Sequence, residues 1–173
     1  GSGAAVGQRC HIFSQRRQAV LEGEVIGFRE QRVIVMPFGP VRGIGAGDLV
    51  RYDPSSSRML VGQNLLGRVV DGLGQPVDEK GPIQRSQRYA LYAPAPAPLQ
   101  RKRITTPMDL GIQSINSLLT CGIGQKMGIF AGSGVGKSVL MGMLCRHTKA
   151  DVNVIVLVGE RGREVKEFLE RDL

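Results

Sequence analysis

Ala131-Gly132-Ser133-Gly134-Val135-Gly136-Lys137-Ser138 is the stretch that decides the fold of this chain. An apolar run, 127–130, leads into it, and a helix-compatible run, 139–147, leads out of it. Glycines in such a stretch let successive backbone N–H groups turn toward one anion, and the N-terminus of the following helix adds a partial positive charge there. The pattern therefore predicts a phosphate-binding loop between a strand and a helix.

The side chains of this loop have separate predicted tasks. Lys137 would reach the β- and γ-phosphates of a nucleoside triphosphate as a point charge, and the Ser138 hydroxyl would be a ligand of Mg²⁺. The strict pattern begins with Gly where this chain has Ala131, and a Cβ is tolerated there if φ is ordinary. A glycine-rich turn that binds nothing is the alternative. The predicted nucleotide-binding residues are Gly132, Ser133, Gly134, Val135, Gly136, Lys137, Ser138 and Val139.

Positive charge is concentrated in one segment of the chain. The 173 residues carry 23 Lys and Arg against 15 Asp and Glu, a net charge of +8 that ordinarily indicates nucleic acid or a membrane surface as a partner. Residues 84–107, however, contain five basic and no acidic side chains. These five are Arg85, Arg88, Arg101, Lys102 and Arg103. They could contact RNA or an acidic neighbour, but a solvated linker explains them without a partner, so no nucleic acid is expected.

The cysteines and the apolar runs indicate which cellular compartments suit the chain. Cys10, Cys121 and Cys145 are widely spaced and odd in number, so they predict neither a disulfide framework nor a zinc site and fit a reducing compartment. No apolar run approaches the roughly 18 to 20 residues that a bilayer-crossing helix needs.

The first part of the chain, residues 4–83, is predicted to consist of short strands. The runs 20–28 and 32–36 are rich in β-formers, with Gln31 able to turn between them. Within 65–78, the sequence Asp71-Gly72-Leu73-Gly74 indicates a hairpin. Several short strands without helices predict a small β-barrel or sandwich.

A linker and a second domain are predicted to follow. Alternating alanine and proline over 93–98 cannot form a helix or a central strand, so 84–107 is interpreted as a stiff linker. Helix and strand patterns then alternate over 108–173, which predicts an α/β domain with a parallel sheet. The predicted elements are a short helix capped by Asp109 with apolar Ile112, Ile115, Leu118 and Leu119, a strand at 126–130, helices at 137–147 and 163–171, and a strand at 152–158.

The second half of the predicted site follows the strand at 152–158. The carboxyl ends of parallel strands face one crevice, so Glu160 should emerge beside the phosphate-binding loop although it lies 23 positions after Lys137. A carboxylate there could align a water with the γ-phosphorus, and Arg161 and Arg163 could neutralise charge on the phosphoryl group. Alternatively, Glu160 is a surface residue paired with these arginines, and spacing alone leaves both readings open.

A family resemblance joins these motifs. Residues 130–138 together with 158–165 resemble the export ATPases of bacterial flagella and type III secretion systems, which are relatives of the rotary ATP synthase catalytic subunit. Residues 67–78 and 111–125 resemble the same group, so the similarity extends from about Val6 to Leu173. The joined motifs are specific, whereas the β part alone is not.

The resemblance implies a fold and roles for the site residues. It implies part of an N-terminal β-barrel that helps to form a hexameric ring, followed by the first part of a RecA-like P-loop ATPase core. Lys137 and Ser138 would serve the phosphates of ATP and Mg²⁺, Glu160 would orient the attacking water, and Arg161 would lie near the γ-phosphate. A metal-site Asp and an arginine finger have no counterpart here, and the resemblance begins partway into the barrel, so the chain is expected to be truncated at both ends.

Partners and location also follow from the resemblance. It implies a homo-hexamer in the full-length protein that contacts stator and stalk proteins, export chaperones and export substrates. It places the protein in the cytoplasm at the inner face of the cytoplasmic membrane, and allows peripheral membrane association. Two other functions stay open at this point: an RNA-translocating hexameric ATPase on the same core, and a noncatalytic nucleotide-binding ring subunit.

Overall fold

The structure is a computed structural model that describes residues 3–14, 19–53, 58–84, 87–132 and 134–171. The chain divides into two compact units, Gly1–Ala95 and Pro96–Leu173. The division lies inside the segment 84–107 that the sequence predicts to be a linker. None of the helices in the described residues combines the length and the apolar character that a bilayer-crossing helix requires.

The first unit contains a four-stranded antiparallel sheet with the order β3-β2-β1-β4. Its strands are β1 (Arg9–Ser14), β2 (Ala19–Arg29), β3 (Arg32–Pro37) and β4 (Leu49–Tyr52). β2 and β3 lie where two strands were predicted, and Glu30 at φ 55° turns the chain between them. β1 and β4 escaped prediction because they are short and mix charged with apolar residues.

The core of this unit lies on one face of its sheet. Burial alternates along β1, so that Cys10, Ile12 and Ser14 are buried, and Val25 of β2 is fully buried. The Ser14 hydroxyl donates a hydrogen bond to the Gly43 carbonyl oxygen at 2.9 Å, which satisfies the buried polar group. The period of two is that of strands with one face inward.

Part of the segment 84–107, predicted to be a linker, forms a strand of a second, two-stranded sheet. β5 (Arg58–Val61) pairs antiparallel with β6 (Gln87–Ala90), so part of the segment 84–107 belongs to a sheet. All four residues of β6 are exposed, and no alternation of apolar and polar side chains marks it in the sequence. Pairing through backbone hydrogen bonds alone leaves no trace in composition.

Residues 65–78 form a tight loop and not a hairpin of two full strands. A single bridge joins Val70 to Pro76, and Gly74 at φ 81° provides the left-handed turn that the sequence indicated. Asp71 holds the turn, because its Oδ1 accepts hydrogen bonds from the backbone N–H groups of Leu73 and Gln75 at 2.9 and 2.8 Å.

A buried ion pair closes this loop. Nε and Nη2 of Arg68 donate to Oδ2 and Oδ1 of Asp78 at 2.6 and 2.9 Å, and the Val69 N–H donates to Oδ2 at 3.0 Å. The Asp78 side chain is only 5% exposed. The hydrogen bond from Arg68 holds the pKa of Asp78 well below its usual range.

We expect acid to destabilise the first unit through Asp78. Because its pKa is lower in the folded state than in the unfolded state, its contribution is present above the ordinary carboxyl pKa of about 4 and is lost as the pH falls below it. Asp78→Asn should lower the urea midpoint at pH 7 and flatten its pH dependence between about pH 5 and pH 3. Glu30→Gln, at an exposed residue, is the charge-matched control and should change neither. An unchanged acid sensitivity in Asp78→Asn would contradict the expectation.

The described part of the second unit contains three α-helices, α1 (Gln113–Leu118), α2 (Lys137–His147) and α3 (Gly162–Arg171), and a short 3-10 helix at Pro98–Gln100. α2 has the predicted bounds, and α3 begins one residue before its predicted start. The buried apolar side chains are those of Ile112, Ile115, Cys121 and Phe168. Leu118 and Leu119 were predicted to share the apolar face of α1, but they are 81% and 65% exposed.

Asp109 does not cap α1 as predicted. The N-cap position is Ile112, which makes no side-chain capping bond. The carboxylate of Asp109 instead accepts hydrogen bonds from the Gly111 N–H and the Asn116 side-chain amide, at 2.8 and 2.7 Å. The cap prediction is wrong because Asp109 lies three residues before the N-cap and folds back on its own loop.

The two predicted strands of the parallel sheet do not form among the described residues. Segments 126–130 and 152–158 belong to neither sheet, and Phe130, Val154 and Val158 are 97%, 83% and 84% exposed. The prediction of a paired βαβ unit is therefore wrong for this structure. A strand needs a hydrogen-bonded neighbour, and a parallel strand needs cover on both faces. The other described residues supply neither, and an apolar run does not specify its own partner.

Candidate phosphate-binding site

The predicted loop ends in a left-handed glycine directly before α2. Gly136 is the N-cap of α2 with φ 95° and ψ 16°, and Gly134 has φ 78°. Residues with a Cβ rarely adopt this conformation. A Cβ on either glycine would meet nothing within 4 Å, so these glycines are needed for backbone conformation and not to avoid crowding. Ser133 lies outside the described residues.

The N-terminus of α2 is open to solvent. Lys137, Ser138 and Val139 form its first turn and are exposed, and this turn contains no acidic residue. The first four N–H groups of a helix have no acceptor within the helix and carry part of the positive end of its dipole. Gly132 and Val135, earlier in the loop, are exposed as well. This end of α2 therefore has the donors, the charge and the access that a phosphate group needs.

Glu160 and Arg161 lie immediately before α3. Among the residues that the structure describes, neither the Lys137 side chain nor the Glu160 side chain forms a hydrogen bond or an ion pair. No such bond joins Glu160 or Arg161 to the loop, because the parallel sheet that would align the two segments is not formed. The shared pocket of Lys137 and Glu160 stays a prediction.

The arginines after Glu160 pair with the helix that follows them. Arg161 lies 3.6 Å from Glu164, and Arg163 donates to Glu167 at 2.8 Å. The hydrogen bond to Glu167 raises the pKa of Arg163. Both arginine side chains are 87% exposed, so each pair is worth little to stability. The alternative interpretation paired these two arginines with Glu160. Their partners among the described residues are instead glutamates of α3.

Sequence reasoning missed the groups that hold the other end of α2. The Lys149 N–H and the Thr148 hydroxyl donate to the backbone carbonyl of Asp109 at 3.0 and 3.3 Å. The Asn153 side-chain amide donates to the Cys145 carbonyl at 2.8 Å. Backbone carbonyls leave no signal in a sequence, and Asn116 or Asn153 alone is an ordinary polar residue.

Two family models match the chain on either side of the predicted linker. The beta-barrel domain of the ATP synthase alpha/beta family matches residues 2–52, and the nucleotide-binding domain of the same family matches residues 111–173. The chain belongs to the ATP synthase alpha/beta family. The first match spans β1 to β4, and the second spans α1, the loop, α2 and α3. The predicted fold class, a small β-barrel followed by the first part of a RecA-like P-loop core, is confirmed.

Individual members of the family are similar over nearly the whole chain. The flagellum-specific ATP synthase of Pseudomonas aeruginosa is 46% identical over 175 residues, covering 100% of this chain and 39% of the relative. The assembled ATPase EscN of the enteropathogenic Escherichia coli type III secretion system matches with a TM-score of 0.84 at 43% identity, over 96% of this chain and 40% of EscN. The structure of EscN in complex with its central stalk EscO matches with a TM-score of 0.83.

These matches confirm the resemblance to the flagellar and type III secretion ATPases. The chain spans about two fifths of the length of these relatives, 39% of one and 40% of the other.

Proposed function

We propose that this chain supplies the phosphate-binding half of an ATP-hydrolysing site in a ring-shaped motor that energises flagellar or type III protein export. One observation carries the proposal: the left-handed Gly136 is followed at once by Lys137 at the first position of α2, inside the part that matches the family's nucleotide-binding domain. This arrangement suits a ligand with clustered negative charge, and the triphosphate of ATP is such a ligand.

The loop backbone and Lys137 would bind the triphosphate. The N–H groups of 132–139 would donate to its oxygens, and the Lys137 ammonium, which has no partner among the described residues, would neutralise charge on the β- and γ-phosphates. Because Lys137 and the exposed end of α2 present positive charge together, an anion would gain from both at once.

The same turn of α2 fits Mg²⁺. Magnesium usually takes only one or two protein ligands and completes its shell with phosphate oxygens and waters. Among the described residues, no three His, Cys, Asp or Glu side chains are grouped so that they could hold a metal ion. The proposed Mg²⁺ site does not depend on such a group. Ser138 would supply its hydroxyl as the protein ligand, and bound Mg²⁺ would neutralise charge on the transferring phosphoryl group.

Glu160 would position the attacking water, and Arg161 would lie near the γ-phosphate. The support is chemical: the Glu160 carboxylate has no hydrogen bond or ion pair among the described residues, and Glu160 lies two residues before α3. An acceptor for a water proton must be free to accept it. Among the described residues, the ion-pair partner of Arg161 is the exposed Glu164, and a triphosphate could outcompete this pair.

The relatives also motivate the proposed assembly. EscN is described as an assembled ATPase and as a complex with its central stalk. We propose that the full-length protein forms a homo-hexamer, contacts a stalk and a stator, and acts on export chaperones and substrates in the cytoplasm at the membrane face. The relatives favour protein export over RNA translocation and over a noncatalytic ring subunit.

Equilibrium dialysis and a phosphate assay test the proposal on this chain. We expect about one Mg-ATP bound per chain, with ADP competing, because the donors of the loop form one site. We expect little phosphate release, because a metal-site Asp and an arginine finger have no assigned counterpart in this sequence. Glu160→Gln should keep the binding and reduce whatever release is seen.

Two outcomes would contradict this account. Absence of saturable Mg-ATP binding would remove the proposed function. Release of many equivalents of phosphate by the isolated chain, abolished by Lys137→Ala, would remove the expectation of weak turnover.

A further inference from the structure

α2 is held at the end opposite to the phosphate-binding loop. Only Gly142 of α2 is buried, and its first turn is exposed. Just past its last residue, the Lys149 N–H and the Thr148 hydroxyl both donate to the Asp109 carbonyl. The Asn153 amide and the Arg146 guanidinium also hold this end of the helix, through the Cys145 and Arg171 carbonyls. The loop that contains Asp109 is therefore one of the contacts that set the direction of the helix in this unit.

Asn116 fixes that loop. Its side-chain nitrogen donates to the Asp109 carboxylate at 2.7 Å, and its side-chain oxygen accepts from the Leu110 N–H at 3.1 Å. The Gly111 N–H donates to the same carboxylate at 2.8 Å. The hydrogen bond from Gly111, and after it the one from Asn116, lower the pKa of Asp109 below its usual value. Asn116 is half-buried on α1, so a single amide ties α1 to the loop at two points.

The loop also packs tightly against α2. Gly111 has φ 70°, and a Cβ added to it would collide with the carbonyl group and the Cβ of His147, the last residue of α2. The backbone of the loop is therefore in close contact with the end of α2. Asn116 thus acts on α2 indirectly: it holds the loop 109–111, and that loop contacts the C-terminal end of the helix.

A small tilt at this end would be amplified at the other. Eleven residues at 1.5 Å each make α2 about 16 Å long, so a tilt of about 5° displaces its N-terminus by about 1.4 Å. Misplacement of a binding group by about 1 Å is enough to lose much of its contribution.

We propose that Asn116 is a positioning residue for the phosphate-binding loop: by tying Asp109 and Leu110 to α1, it fixes the C-terminal end of α2 and thereby the direction in which Gly136, Lys137 and Ser138 present their donors. This inference rests on the proposed nucleotide-binding function. It concerns a residue that does not touch the nucleotide.

Two measurements on the 173-residue chain test it. The first is the Kd for Mg-ATP, taken well below the melting temperature of each variant. The second is hydrogen exchange of the Lys149 amide without nucleotide, which reports directly on the bond to Asp109. Asn116→Ala should weaken Mg-ATP binding by about 3- to 10-fold and speed exchange at Lys149 by about 10-fold. Ser117→Ala, at the exposed neighbour on α1, is the matched control and should change neither.

Asn116→Asp gives a signature that loss of stability alone would not produce. At pH 7 two carboxylates would face each other and the loop would open, whereas near pH 5.5 they could share one proton and restore the hydrogen bond. Its Mg-ATP affinity, relative to the parent at the same pH, should therefore improve on acidification.

Each outcome is decisive. Faster exchange with an unchanged Kd in Asn116→Ala would overturn the inference and leave the proposed function intact. Unchanged exchange would overturn it too, because Asn116 would then not hold the loop. If the parent and Ser117→Ala both fail to bind Mg-ATP, the proposed function fails, and this inference fails with it.

Discussion

Lys137→Ala is expected to raise the Kd for Mg-ATP by about 100-fold or more. Charge-assisted contacts to phosphate are the strong ones, and in a loop of otherwise neutral N–H donors Lys137 supplies the only full positive charge. The first turn of α2 contains no acidic residue that could hold the lysine away from an anion. Isothermal titration with Mg-ATP measures the effect.

Lys126→Ala is the matched control for this change. Lys126 is exposed, and its substitution removes the same charge from the same unit. It lies before the segment 127–130 and outside the loop. We expect it to alter the affinity by less than about 2-fold, because a solvent-screened charge at a distance contributes little. Equal losses in the two variants would mean that the net charge of the chain, and not the phosphate-binding loop, attracts the nucleotide.

Gly111→Ala is expected to destabilise the second unit by about 3 kcal/mol. Two costs add: a left-handed backbone at φ 70° carrying a Cβ, about 1 kcal/mol, and overpacking against His147, about 2 kcal/mol. The loop cannot move aside without breaking the Asp109 carbonyl bonds to Thr148 and Lys149. Urea unfolding followed by far-UV circular dichroism measures the change.

Gly124→Ala separates the two costs. Gly124 has φ 92°, also left-handed, but a Cβ there would meet nothing within 4 Å. Only the backbone strain of about 1 kcal/mol should remain. If both variants lose the same stability, the crowding between Gly111 and the end of α2 is not present in solution.

How much could be read from the sequence depends on the range of the interaction. The bounds of α2 and the left-handed Gly136 follow from local chemistry, because a glycine-rich turn, a lysine and a run of helix formers lie next to one another. The same holds for the turn between β2 and β3. β6 could not be read, because it is held by backbone pairing with a strand distant in sequence. The role of Asp109 could not be read either, because its backbone carbonyl is the group that accepts from Thr148 and Lys149, about forty positions away.

The predicted parallel sheet illustrates the same limit. Apolar residues at 126–130 and 152–158 say that these segments avoid water, but they do not name the strands that would lie beside them. In this structure they belong to no sheet and are mostly exposed, so the juxtaposition of Lys137 and Glu160 still awaits its test.

The sequence by itself determined the left-handed glycine turn, the helix that follows it and the family, because these depend on residue types at fixed spacing and on backbone conformations that only glycine adopts readily. Only the tertiary structure decided what fixes that helix in space. Asp109 and Gly111 meet the end of α2 through a backbone carbonyl and a close backbone contact, with partners up to about forty positions away, and Asn116 holds that loop. Every residue carries the same backbone groups, so no sequence pattern records which of them pair.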